Sequence, residues 1–383
     1  MTGRPILGLE HGLSTLEAHR ASLGLSEPPT PFARPQDGRH SSRERSKCPP
    51  FDGQRPPYLQ EPMQALVEGP QLTVAIMAAE NSGTGRLVRD WLIHSVTQDP
   101  ADMLVYGPTE AMVRAYVKAE IEPAIDAYPE MAVTRRAGHA ARDLKFKDFG
   151  HMWAQFLPAT YSNLINKSAS RIAIGGLDAC DRGSGGPYAL ADIRRQTFGT
   201  RSRLLVESYP GLGGGSGPEP SAAGIISLYA ESDRRMWYWP CPHCNGFWAP
   251  YPICNHGLML EWPRGALPDE IRDAARMTCP CCRRGIEDKW RPLMNAEGVW
   301  VGAGQRIGAG GRIIGKLASF EVAGFWISGL MSSLVSGGIG ALACALDRAG
   351  RYWVDGSGAG MYRDTITKKL GWLCDVDMDR LVA

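Results

Sequence analysis

Leu72–Arg86, LTVAIMAAENSGTGR, is the stretch on which the reading of this chain turns. Leu72–Met77 is a short apolar run, partly β-branched, of the kind that forms a strand buried on both faces. It feeds the turn Ala78-Ala79-Glu80-Asn81-Ser82-Gly83-Thr84-Gly85-Arg86, and helical spacing continues to about Val96. A strand, a glycine-bearing loop and a helix in that order are what phosphate binding needs. Backbone N–H groups point at the anion, and the helix N-terminus adds partial positive charge. A full loop of this type reads G-x-x-x-x-G-K-[ST], where Lys neutralises phosphate charge and the hydroxyl holds Mg²⁺. Here the first Gly is missing, Thr84 stands where Lys belongs, Gly85 stands where Ser or Thr belongs, and Arg86 offers a cation from a shifted position. The candidate phosphate-binding residues are Asn81, Ser82, Gly83, Thr84, Gly85 and Arg86; the competing reading is a plain glycine-containing turn.

Working outward, 58–68 has helical spacing, with Leu59, Met63, Leu66 and Val67 on one side. Met103–Tyr106 predicts a second buried strand, followed by Pro108-Thr109 and a helix near 110–127. Arg171–Leu177 predicts a third, and Leu204–Ser208 a fourth, ending in Tyr209-Pro210. Strands alternating with helices imply an α/β fold with a parallel sheet and crossover helices, in which function collects at the carboxyl ends of the strands. Asp178 and Asp181 follow the third strand, where an acidic pair would hold Mg²⁺ and activate water. The usual order is Asp then Glu, but Ala179 occupies the second place, and an Asp after a strand also serves as a turn or cap. Met112, Met152 and Trp153 read as core, and His139 and His151 as single structural histidines.

A second signal is the pair of knuckles Cys241-Pro-His-Cys244 and Cys279-Pro-Cys-Cys282, separated by 34 residues. Two C-x-x-C pairs have the spacing of a tetrahedral zinc site, and a complete Cys₄ set leaves no open position, which makes such a metal structural. Reduced thiols or a redox pair are the alternatives. Cys254, His256 and Cys281 are close enough in sequence to compete, so the last ligand stays open among Cys279, Cys281 and Cys282. The aromatic residues around the knuckles (Trp237, Tyr238, Trp239, Phe247, Trp248) fit a small core, or stacking on bases or on a partner. Arg234, Arg235, Arg283 and Arg284 fit a phosphate-contacting patch or a solvated face.

At 383 residues and 44% hydrophobic content the chain can bury a sizeable core. A net charge of +2 gives no global electrostatic case for nucleic acid, so DNA contact would come from a local patch or a ring of subunits. There is no apolar run long enough to span a membrane and no signal-peptide core, so a soluble, intracellular protein is expected. Ten cysteines, six of them between 241 and 282, favour metal in a reducing compartment over a disulfide framework. The expected organisation is a Pro/Arg-rich arm over 1–57, an α/β domain over 58–230, a zinc-binding module over 231–300 and a C-terminal segment over 301–383 packing on the α/β domain. The basic cluster Arg39–Lys47 of the arm reads as a solvated tail, with phosphate contact as the alternative. Residues 318–383 mix Gly with apolar residues without a clear period.

Taken together, these elements resemble the ATPase region of lambda-type phage terminase large subunits, the motors that move viral DNA into procapsids. The most specific stretch is Leu228–Cys244, LYAESDRRMWYWPCPHC. Further similar stretches follow in order: RPPYLQEPMQAL, QDPADMLVYGPTEAMVRAYVKAEIEPAI, GGLDACDR, TFGTRSRLLVESYP, the second knuckle, MNAEGVW and AGFWISGLMSS. The resemblance covers about 55–375 and implies a P-loop NTPase-like sheet that uses ATP, Mg²⁺ and Zn²⁺. It implies Asn81–Arg86 around the phosphates, Asp178 on Mg²⁺, Asp181 as the nearby carboxylate that could replace the missing base, and Ser208-Tyr209-Pro210 sensing the terminal phosphate. The implied partners are double-stranded DNA, the terminase small subunit, the portal protein and further copies of the chain in a ring, in the cytoplasm of a bacterial host. The chain departs from the family by lacking Lys at 84 and Glu at 179, which predicts slow or absent hydrolysis, and a decayed prophage copy or a non-catalytic zinc-stabilised binding module is the alternative. Only 83 residues follow Trp300, too few for the family's ribonuclease-H-like nuclease domain, which is therefore expected to be absent or encoded elsewhere.

Overall fold

The computed structural model describes residues 56–128, 130–131, 143–181, 186–211, 224–251, 259–354 and 359–373. The expectations for the N-terminal arm as far as residue 55, for the Gly-rich loop after Gly211, and for His139, Cys254 and His256 lie outside the described residues. The first half runs α1 (Gln60–Glu68), β1 (Thr73–Ala78), α2 (Thr84–Thr97), β2 (Met103–Gly107), α3 (Glu110–Tyr116) and α4 (Glu122–Ala127). It continues through β3 (Phe146–Asp148), β4 (Trp153–Pro158), α5 (Tyr161–Asn166), β5 (Arg171–Gly175), α6 (Pro187–Arg195), β6 (Arg203–Ser208) and α7 (Ile225–Ala230). The cysteine-rich part carries β7 (Arg235–Pro240), β8 (Phe247–Trp248), β9 (Leu260–Glu261), α8 (Pro268–Ala274), β10 (Arg276–Thr278), β11 (Gly285–Ile286) and α9 (Arg291–Ala296). The rest is β12 (Val299–Val301), the ribbon β13 (Arg306–Ile307) with β14 (Ile313–Ile314), β15 (Val322–Ile327), α10 (Gly338–Val354) and α11 (Ala359–Asp364).

One large sheet has the order β12–β7–β15–β1–β6–β5–β2–β4–β3. From β7 to β4 every neighbouring pair is parallel, and only the outer strands and β8 run antiparallel. The four strands read from apolar runs (β1, β2, β5, β6) are contiguous at its centre, as a mostly parallel α/β sheet requires. All six residues of β1 are buried, because helices cover both faces of a parallel sheet. Thr73 stands opposite Leu204 of β6 on one side and Val322 of β15 on the other.

Two strands extend that centre beyond what the sequence indicated. β15 comes from the C-terminal region expected to pack against the domain, yet it is the direct neighbour of β1, and all its residues are buried. Such a strand has no alternation to detect, and Gly324 interrupts its apolar run. β7 joins β15 through a seam made by Ser232-Asp233-Arg234-Arg235. Asp233 is fully buried; its carboxylate accepts the Gly324 N–H at 2.9 Å and the Arg235 guanidinium at 2.7 and 3.1 Å. Arg235 also pairs with Glu61 at 2.8 Å and lies over the Phe325 ring, so it is a seam residue and not part of a phosphate-contacting patch. Trp237, Tyr238, Trp239 and Trp248 are buried and Phe247 half-buried, the small-core alternative of the sequence reading. Met112, expected in the core, is 54% exposed. Among the described residues no helix is long and apolar enough to cross a membrane.

Candidate functional site

The turn after β1 and the ends of β5 and β6 surround one cavity of about 400 Å³. The turn is held from outside by the C-terminal region. Ala79 N–H donates to Ile327 O at 3.1 Å and Glu80 N–H to Lys368 O at 2.7 Å. Tyr58 Oη donates to Ser82 O at 3.0 Å, and Ser332 Oγ donates to Asn81 O. Asn81 (φ 58°) and Gly83 (φ 93°) take left-handed backbone, and a Cβ at Gly83 would come within 2.9 Å of Leu59 Cδ1. α2 then starts at Thr84. Leu87 N–H donates to Gly83 O at 3.1 Å, which leaves the amides of Thr84, Gly85 and Arg86 in the first turn ahead of that bond. A 14-residue helix directs its partial positive charge at this point.

Of the expected phosphate-binding residues, Asn81, Thr84 and Gly85 line the cavity, together with Glu80. Ser82 is buried, with Oγ unpaired. Gly83 packs under Leu59 and Leu334. Arg86 is not among the lining residues; its charge is felt at the buried Tyr58 phenol. One wall is apolar and aromatic, with Tyr106, Met112, Val113 and Tyr116, whose Oη donates to Gly85 O at 2.9 Å.

The strand expected to end at Leu177 ends at Gly175. Gly176 takes φ 65°, and Leu177–Ala179 is a short 3₁₀ turn. The positions at the mouth of β5 are therefore two glycines. Asp178 lies beyond them with 9% exposure. Its carboxylate accepts the N–H groups of Gly211 at 3.0 Å and Ile225 at 2.8 Å, and its own N–H donates to Ser208 Oγ at 3.1 Å. Asp178 thus ties the ends of β5 and β6 to the start of α7. Asp181 is exposed and outside the cavity lining. Tyr209 lines the cavity, and Lys368, not itself among the lining residues, sits 5.5 Å from its ring centre while pairing with Asp364 at 3.0 Å.

Sequence reasoning passed over Glu207. It lies one residue before the end of β6, where an apolar strand rarely places a carboxylate, and that position was the available signal. Glu207 Oε2 accepts from Thr84 Oγ1 at 2.9 Å and Oε1 from Gly176 N–H at 3.1 Å. Burial pushes its carboxyl up from the ordinary range, against the lowering effect of those two hydrogen bonds.

The knuckles form a second site. Cys241 N–H donates to Gly246 O and Asn245 N–H to Cys241 O; Cys279 N–H donates to Arg284 O and Arg283 N–H to Cys279 O. Asn245 (φ 56°) and Arg283 (φ 60°) take the same left-handed conformation, so the two turns are copies of each other. The sulfurs of Cys241, Cys244, Cys279 and Cys282 lie within 4.8 Å of one another, a set that could hold a metal ion. Cys241–Cys282 and Cys244–Cys279 are separated by 3.8 and 3.9 Å. A tetrahedron with metal–sulfur bonds of about 2.3 Å has edges of about 3.8 Å, so the donor set fits zinc in size and chemistry. His243 instead bonds Gly285 O at 3.1 Å.

No curated protein matches the chain. The solved HK97 bacteriophage large terminase is similar at 13% identity and a TM-score of 0.35, over 45% of this chain and 35% of that one. The Thermus phage P74-26 large terminase ATPase domain is similar at 11% identity and a TM-score of 0.31, over 46% of this chain and 80% of that one. The present chain therefore spans 35% of the length of the HK97 protein. The model of the family described as phage terminase large subunit gpA, ATPase domain, matches residues 46–300, about two thirds of the sequence, and the chain belongs to that family.

Proposed function

We propose that this chain is the ATP-driven motor part of a phage terminase, moving viral double-stranded DNA into procapsids. The observation that carries the reading is the convergence on one cavity of the left-handed turn after β1, the first-turn amides of α2 and the ends of β5 and β6. In an open α/β sheet that is where nucleotides bind. Mg²⁺, when bound with ATP, would supply the positive charge that phosphoryl transfer requires. The chain's own residues bind and orient. The Asn81–Arg86 backbone cradles phosphates, Tyr106 and Tyr116 offer an aromatic wall, and the Ser208–Asp178 link carries a change at the cavity to Gly211 and the start of α7. Asp178 acts here as a positioning residue, and Asp181, exposed and outside the lining, is given no step.

Zn²⁺ held by Cys241, Cys244, Cys279 and Cys282 has a structural role in this reading, since four thiolates close the shell. The partners are double-stranded DNA, a terminase small subunit, the portal protein and other copies of this chain in a ring, in the host cytoplasm. The test is a nucleotide titration of the full chain, followed by ATP turnover with and without DNA. Binding with DNA-stimulated turnover supports the motor. Salt-dependent DNA affinity with no nucleotide binding would instead make the chain a zinc-stabilised binding module.

A further inference from the structure

We infer that Glu207, together with the Thr84 hydroxyl, holds the divalent cation that accompanies the nucleotide, a task carried here by β6 because the mouth of β5 bears only glycines. The inference rests on the cavity being a nucleotide site.

In phosphate-loop sites, a hydroxyl at the start of the helix and a carboxylate at the end of a nearby strand hold the metal. Here the hydroxyl stands one residue earlier, at Thr84 in place of the lysine, and it already touches the carboxylate: Thr84 Oγ1 donates to Glu207 Oε2 at 2.9 Å. The carboxylate stands in an unusual place. Gly175 of β5 is in register with Glu207 of β6, and a Cβ built on Gly175 would lie 3.0 Å from Glu207 Oε1. Gly176 N–H donates to the same oxygen at 3.1 Å. The Glu207 side chain therefore occupies the volume that a side chain at 175 would take, and the strand-end glycines leave room for it.

Charge gives a second, independent argument. The described residues lining the cavity include two carboxylates, Glu80 and Glu207, and no lysine or arginine. A phosphate chain entering it meets like charge, which is unfavourable at short range in a partly desolvated site. A divalent cation between carboxylate and phosphates turns that repulsion into two attractions. Mg²⁺ suits the position because it takes one or two carboxylates, substrate phosphates and retained waters. Asp178 is a poorer candidate, since it is not among the residues that line the cavity, whereas Glu207 is.

The test is equilibrium binding of a fluorescent, slowly hydrolysed ATP analogue to the full chain, with excess Mg²⁺ and with EDTA. Electron paramagnetic resonance of Mn²⁺ counts the metal bound with the nucleotide. Wild type is expected to bind at least tenfold more tightly with Mg²⁺. Glu207→Gln is expected to lose that difference and the bound Mn²⁺, while binding in EDTA as well as wild type or better, because a like charge is gone. Asp178→Asn is expected to keep the difference. The double variant Gly175→Asp with Glu207→Ala, which moves the carboxylate to β5, is expected to restore it, and it decides the matter should Glu207→Gln fold poorly. Retention of the metal effect in Glu207→Gln, no restoration in the double variant, or equal wild-type affinity with and without metal overturns this inference while leaving the nucleotide site intact. No nucleotide binding under either condition overturns the proposed function and this inference with it.

Discussion

Asp233 and Arg235 form an ion pair, at 2.7 Å, inside the seam where β7 meets β15. The Asp233 side chain is fully buried and that of Arg235 is 9% exposed. Buried charges persist only when paired and hydrogen-bonded, and the second Asp233 oxygen meets that condition through Gly324 N–H. Asp233 thus holds β15 beside β7, and β15 in turn pairs with β1 and supports the turn after it through Ile327. Removing Asp233 leaves the buried Gly324 N–H without its acceptor and Arg235 with Glu61 as its remaining carboxylate. Asp233→Ala is expected to lower unfolding free energy by about 3–5 kcal/mol, read as a shifted denaturant midpoint, with nucleotide affinity falling in parallel.

The same seam leaves no room at Gly324. A Cβ there would collide with Ser232 Oγ and lie 2.6 Å from Ser232 Cβ. Ser232 is locked by its bond to Tyr229 O at 2.6 Å and cannot turn aside without losing it. Gly324→Ala is expected to cost about 1–3 kcal/mol by overpacking. Adding Ser232→Gly should recover part of that loss, whereas the two changes would simply add if they were independent. Thermal unfolding of the four proteins of this cycle measures the coupling.

Local pattern reveals strands only where the chain marks them with a bounded apolar run. LTVAIM, MLVY, RIAIGGL and LLVES do so, and the strands they announce are four adjacent central ones. VAGFWI does not, because Gly324 interrupts its apolar run and its partner β1 lies about 250 residues away in sequence. The cysteine set was legible because metal ligation repeats a fixed short spacing. The cavity carboxylate was not, since only the register of β5 against β6 places Glu207 beside Gly175. Asp178 looked like the acidic strand end because GGLD reads as a continuing strand, whereas the positive φ of Gly176 ends β5 two residues earlier than expected.

Metal content separates the cysteines. Cys282→Ser is expected to lose most bound zinc on purification, because it removes one of four donors whose sulfurs lie within 4.8 Å of one another. Cys281→Ser, outside that set of four, is expected to keep close to one equivalent. Elemental analysis of the two variants checks both. A zinc chelator added to wild type should lower its melting temperature, since binding free energy at a structural site is folding free energy.

His94 predicts a pH dependence. It lies in α2, 3% exposed, with Nδ1 unpaired. Burial first, and then the Arg171 guanidinium, hold its pKa below the ordinary 6.5, against smaller opposing effects of Asp99 and Glu68. The folded protein therefore binds this proton less readily than the unfolded chain. Stability from His94 is complete above about pH 6.5 and is lost as pH falls through the lowered folded value. Unfolding midpoints measured from about pH 7.5 to about pH 5.5 should drop more in wild type than in His94→Gln, which cannot titrate.

The absent lysine can be put back. Thr84 opens α2, lines the cavity and touches Glu207, so a lysine at this position would reach both the carboxylate and an incoming phosphate. Its ammonium would offset one of the two cavity carboxylates and provide a charge-assisted hydrogen bond, which contributes about 1.5–3 kcal/mol. Thr84→Lys is therefore expected to tighten nucleotide binding in EDTA by about ten- to hundredfold, and to shrink the advantage that Mg²⁺ gives wild type. Turnover need not rise with affinity, because uniform binding lowers KM without raising kcat. A nucleotide titration in EDTA, run beside the turnover assay, separates the two quantities. Unchanged metal-free affinity in a well-folded Thr84→Lys protein would mean that phosphates do not approach the start of α2, which removes the basis for reading this cavity as a nucleotide site.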